Sequence, residues 1–90
     1  MPITKRNVLQ HELIGLEARV INSSDQDLIG TYGTIVDETR GMLVIGHGSK
    51  SKIVQKAASI FRITLPSGEE VEIDGAKLVA RPEDRVKKRR

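Results

Sequence analysis

Cysteine and tryptophan are missing from this sequence, and its aromatic residues are one Tyr and one Phe. Without cysteine there is no disulfide framework and no thiolate for a zinc ribbon or finger, and two histidines do not make a metal site by themselves. No bound cofactor is expected. Cysteine-free chains suit a reducing compartment, so the expected location is cytoplasmic. Tyr32 and Phe61, the latter placed inward by its neighbours, are too few for a methyl-lysine cage or proline-motif groove, or for a base-stacking platform. No apolar run approaches the roughly 18 residues of a membrane span, and no signal-peptide core follows the first six residues. No membrane contact is expected.

Catalytic patterns are missing too. No G-x-S-x-G elbow surrounds Ser23, Ser24, Ser49 or Ser51, and neither His11 nor His47 stands in a triad context. Asp37-Glu38 reads as turn chemistry rather than a pair of catalytic carboxylates. Gly30-Thr31-Tyr32-Gly33 lacks the lysine and the following helix of a phosphate loop. No catalytic residue is expected in this chain.

What is present is basic charge, unevenly spread. Residues 7–80 carry seven Lys/Arg against ten Asp/Glu, a net of −3, whereas residues 1–6 and 81–90 together carry eight basic against two acidic, a net of +6. Basic tails make sequence-independent contacts with polyanions, or else are simply solvated. The candidate RNA-binding residues are Arg40, Lys50, Lys52 and Lys56, with Arg81, Arg85, Lys87, Lys88, Arg89 and Arg90 of the tail. Cations without aromatic stackers favour structured RNA, whose A-form helices offer phosphates and 2′-hydroxyls rather than base edges.

Ninety residues make one domain, with a barrel core over about 16–80, an N-terminal helix over about 7–14 and a basic tail over 81–90. The organising stretch is Leu28–Ile45. Its β-rich runs Thr31–Val36 and Met42–Ile45 flank the polar turn 37–41 and predict a hairpin. Gly30 and Gly33 mark a bend, a bulge or the close approach of another backbone. Leu16–Ser23 predicts a first strand with Ala18 and Val20 inward, and residues 46–52 a flexible loop before a short strand over 53–55. Ile60–Leu65 alternates with Phe61, Ile63 and Leu65 inward. Val71 and Ile73 follow inward after the turn at Pro66-Ser67-Gly68. Asp74-Gly75 predicts another hairpin into a last strand over 77–80, and Pro82 with Glu83 and Asp84 a short closing helix. About six short strands with helical pieces only at the termini describe an all-β fold, a small antiparallel Sm-like or SH3-like barrel. Ile21, Ile35 and Val44 then place apolar groups on its outer face.

The segments H-E-L-I-G-L (residues 11–16), L-I-G-T-Y-G-T-I-V-D-E-T-R (28–40), L-V-I (43–45), F-R-I-T-L-P-S-G-E-E-V-E-I-D-G (61–75) and R-P-E-D-R-V-K-K (81–88) occur in that order along nearly the whole chain. In them the sequence resembles the archaeal branch of the ribonuclease P protein family built on a small Sm-like barrel. Residues 46–52 match no pattern of that family. The resemblance implies a subunit of the RNA-based endonuclease that removes the 5′ leader of precursor tRNA, the chemistry being done by the RNA with its metal ions. It also implies the ribonuclease P RNA, precursor tRNA, a zinc-ribbon protein subunit and other ribonuclease P proteins as partners. By analogy the protein interface falls on Val8, Leu9, Leu13, Ile35 and Val44. Two other readings stay open, a protein-interaction module that touches RNA incidentally and a ribosomal SH3-like barrel protein.

Overall fold

A computed structural model of the chain describes residues 13–79. Six strands, β1 (Glu17–Ser23), β2 (Tyr32–Glu38), β3 (Met42–His47), β4 (Lys50–Gln55), β5 (Ser59–Thr64) and β6 (Glu70–Asp74), form one antiparallel sheet in the order β4-β3-β2-β1-β5-β6. Single 3-10 turns, Gln26–Leu28 and Gly75–Leu78, follow β1 and β6. Of the expected helix over 7–14 only Leu13 and Ile14 are described, and they lead into a turn; the helix expected from Pro82 lies outside the described residues.

Alternation sets the inside. Ala18 and Val20 of β1, Phe61 and Ile63 of β5, and Val71 and Ile73 of β6 are buried, while Glu17, Arg19, Glu70 and Glu72 between them face solvent. Leu43, Ile45 and Val54 close the core from β3 and β4, with Leu13, Leu65 and Leu78 plugging its ends. Each such side chain contributes about 1.5–3 kcal/mol relative to an exposed one, the main force that curls so short a sheet.

Two bulges break the alternation, one in β1 between Val20 and Asn22 and one in β2 between Ile35 and Asp37. A bulge adds one residue to its strand and sharpens the bend. In β2 it leaves Val36 and Asp37 both outward and Ile35 and Glu38 both inward. Ile35, expected on the outer face, is therefore a core residue, and Glu38 is no turn acid but a buried one. Leu13, expected at a protein interface, is also fully buried in the core.

Glycines settle two close approaches. Gly33 (φ +153°) lies so near the Gly46 carbonyl of β3 that a Cβ would overlap it, so of the three alternatives open at this position it is the close approach of another backbone that is found. At Gly75 a Cβ would overlap the carbonyls of Lys56 and Ser59, so the chain leaving β6 is pressed against the link between β4 and β5.

Two local expectations fail. Residues 46–52 are no loop: His47 pairs with Lys50 and Ser51 with Gly46, and only Gly48-Ser49 turns the chain. Gly48 (φ +64°) occupies the first central position, the arrangement of a two-residue type II′ hairpin. After β6 there is a 3-10 turn rather than a strand, because the Asp74 carboxylate accepts the Ala76 N–H at 3.0 Å and caps it.

Candidate nucleic-acid interface

Lys56 lies in the link after β4 and is wholly excluded from solvent. Its Nζ donates to Glu38 Oε2 (2.7 Å), to the carbonyls of Thr39 (2.6 Å) and Leu78 (3.0 Å), and more weakly to that of Arg40 (3.3 Å). An ammonium has three protons, so these oxygens share them and nothing is left to offer a phosphate. Lys56 is thus removed from the candidate RNA contacts. It is a structural bolt that ties the β2–β3 turn to the C-terminal 3-10 turn.

That bolt fixes Arg40. The turn carrying it is held by the Lys56 ammonium, by the Lys56 N–H on the Gly41 carbonyl (2.9 Å) and by the Thr39 N–H on the Met42 carbonyl (2.9 Å), while Arg40 itself is exposed. Lys50 and Lys52 are exposed on β4, but they belong to the other end of β3. In register Lys50 stands opposite His47 and Lys52 opposite Ile45, which places them along β3 about 17 Å and about 10 Å from Met42 at the Arg40 turn, at 3.3 Å per residue. The structure does not bring these three cations into one patch. Arg81, Arg85, Lys87, Lys88, Arg89 and Arg90 lie outside the described residues.

What surrounds Lys50 and Lys52 is a concavity lined also by Gly30, Thr31, Tyr32, Ile45, His47 and Ser51, with no carboxylate in its wall. Tyr32 separates it from a second, larger concavity on the outer face of β1, β2 and β5. There the register sets Arg19 opposite both Tyr32 and Arg62. The Arg19 guanidinium stands over the Tyr32 ring at 5.3 Å, and the His47 ring meets Tyr32 edge-on at 4.6 Å. Glu17 and Glu70 also line this second hollow, and Arg62 is engaged by Glu72 at 3.0 Å. Phosphate is therefore better received on the lysine side of Tyr32 than on the arginine side. Reading the sequence alone misses Arg19, Tyr32, His47 and Arg62 as a group near the RNA-binding candidates. The signal lies in cross-strand register, which one strand's sequence does not carry.

The protein-partner candidates divide similarly. Val8 and Leu9 lie outside the described residues, Leu13 and Ile35 are in the core, and Val44 is half-buried on the outer face. Beside Val44 the structure exposes Val36 (51%) and Ile53 (62%). Ile53 is opposite Val44 in register, and Val36 leans over Gly46 next to it. Ile21 is half-buried. The outer apolar surface of β2, β3 and β4 thus includes Val36, Val44 and Ile53, with Met42 on the same face of β3. Among the described residues no His/Cys/Asp/Glu group could hold a metal, and no helix is long and apolar enough to cross a membrane.

Comparison with known proteins is informative over nearly the whole chain. A family model described as ribonuclease P/MRP, subunit p29, matches residues 6–88. Ribonuclease P protein component 1 of Thermofilum pendens is 50% identical over 90 residues, covering 99% of this chain and 96% of the relative. That of Methanosphaera stadtmanae is 48% identical over 87 residues, covering 97% and 94%. A solved structure of Mth11, a homologue of the human RNase P protein Rpp29, superposes with a TM-score of 0.62 at 47% identity, covering 82% of this chain and 96% of that one.

Proposed function

This chain belongs to the ribonuclease P/MRP subunit p29 family, and on that premise we propose that it is an accessory RNA-binding subunit that supports a catalytic RNA in removing the 5′ leader of precursor tRNA. The observation that carries this reading is the match from residue 6 to residue 88, which takes in the barrel and the basic segment 81–88. In this reading the chain supplies no catalytic group. Its part is electrostatic and geometric: Arg40 held on a bolted turn, Lys50 and Lys52 at a carboxylate-free hollow, and the basic residues of 81–90 reaching further phosphates. Metal ions act on the RNA, and the setting is the cytoplasm.

A second element of the proposal is a protein partner, a zinc-ribbon ribonuclease P subunit docked on Val36, Val44 and Ile53. Its support is that Val36 and Ile53 are exposed beside half-buried Val44 on one face of the sheet.

The experiment is recovery of the protein from its native cell with RNA sequencing of what accompanies it. Enrichment of one abundant structured RNA together with precursor tRNA supports the reading. Enrichment of ribosomal RNA instead overturns it in favour of a ribosomal barrel protein, and cleavage of precursor tRNA by the isolated chain overturns the assignment of chemistry to RNA.

A further inference from the structure

Tyr32 is the sole tyrosine of the chain, and a buried position would suit so large a ring. Instead it stands at the start of β2, 49% exposed, with Arg19 over the ring and His47 against its edge. Gly33 beside it admits no side chain, because the backbone of β3 is too close, so the place of the ring relative to His47 is set by strand packing. On one side lies the hollow of Lys50 and Lys52, whose wall holds no carboxylate. Neither lysine makes an ion pair with a described residue.

We propose that Tyr32, flanked by His47, Lys50 and Lys52, is a binding site for one unpaired nucleotide of RNA, its base stacked on the exposed part of the Tyr32 ring and its phosphates held by the two lysines. The site rests on the RNA-binding reading above and goes beyond phosphate-and-shape recognition of helices. An aromatic ring offers its face to any base, and stacking is tolerant of sequence. The lysines act as point charges that follow a flexible backbone. Duplex RNA keeps its bases stacked on one another and has none to give Tyr32. A single ring is no platform for a run of bases, so the site takes one nucleotide at a junction, a bulge or a strand end.

With one tyrosine in the whole 90-residue chain, its ring protons in an NMR spectrum report this site alone. Titration of the full chain with single-stranded hexaadenylate is expected to move the Tyr32 ring signals upfield, while inorganic tripolyphosphate and a blunt-ended RNA duplex leave them in place. Tyr32→Leu is expected to weaken hexaadenylate binding roughly tenfold with duplex binding unchanged, and Tyr32→Phe to keep both. An equal ring shift with tripolyphosphate would reduce the site to charge alone and overturn the stacking assignment. So would hexaadenylate binding with no ring shift. Either result leaves the accessory-subunit reading standing if structured RNA still binds; loss of binding to every RNA by the unaltered chain would instead bring down that reading.

Discussion

The Lys56 ammonium lies 2.7 Å from the Glu38 carboxylate, and both side chains are fully out of solvent. The pair joins β2 to the link between β4 and β5, and through Leu78 to the chain after β6. β4 and β6 are the edges of the sheet and have no ladder between them. The bolt, with Gly75 pressed against the Lys56 carbonyl, brings the two ends together where strand pairing does not.

Removing one member of that pair strands the other. Lys56→Met is expected to cost about 3–5 kcal/mol, since the Glu38 carboxylate then lies buried without its ammonium. The double substitution Glu38→Leu with Lys56→Met is expected to cost less than Lys56→Met alone. Urea denaturation of the unaltered chain, both single variants and the double variant checks this, and a double-variant cost equal to the sum of the two single costs would show that the pair is not coupled. By contrast, Lys50→Ser and Lys52→Ser are expected to leave stability within about 0.5 kcal/mol.

Gly33→Ala tests the approach of β2 to β3. The added Cβ meets the Gly46 carbonyl at a φ that side chains rarely adopt, and a destabilisation of about 1–3 kcal/mol is expected from the overpacking. Gly30→Ala, where the surroundings are open but φ is +91°, is expected to cost only the backbone strain. The difference between the two midpoints isolates the steric part.

Deleting residues 81–90 removes six of the fifteen Lys/Arg. The slope of log affinity for structured RNA against log salt is expected to flatten by about 0.7–0.9 for every phosphate that the tail had neutralised. A titration series in rising salt reads it, and an unchanged slope would remove the tail from the interface.

Ile53→Glu and Val36→Glu place charge on the outer apolar surface. Both positions are more than half exposed, so stability is expected to change by no more than about 0.5 kcal/mol, while pairing with a zinc-ribbon subunit is abolished. Isothermal calorimetry with that subunit, alongside an RNA-binding assay that stays unchanged, separates the two surfaces.

The second half of the barrel is legible directly from the chain. Phe61, Ile63, Leu65, Val71 and Ile73 alternate without interruption and are all inward, because a pleated strand imposes period two on whatever residues it holds. The turn at Gly48-Ser49 also has a local signal, a Gly-Ser pair between two residues that face each other. That signal is easily missed because His47, Lys50, Ser51 and Lys52 lack the alternating hydrophobics that usually frame a hairpin. Asp74-Gly75 has a strong hairpin signal, yet Asp74 caps a 3-10 turn instead, since the same carboxylate serves either geometry.

By itself, then, the sequence determined a small cysteine-free β domain with its positive charge at the ends, and through its ordered segments the family to which it belongs. Alternation, turn residues and charge are local properties, and each is complete within a few consecutive positions. Only the tertiary structure decided that Lys56 is a bolt and not an RNA contact, for its partners Glu38 and Leu78 stand 18 and 22 residues away. The bulge that turned Ile35 inward and Val36 outward, and the meeting of Arg19, Tyr32 and His47 across three strands, were likewise decided by pairing between distant segments. An ammonium needs buried oxygens around it to leave water, and which residues supply them is a matter of how the strands close.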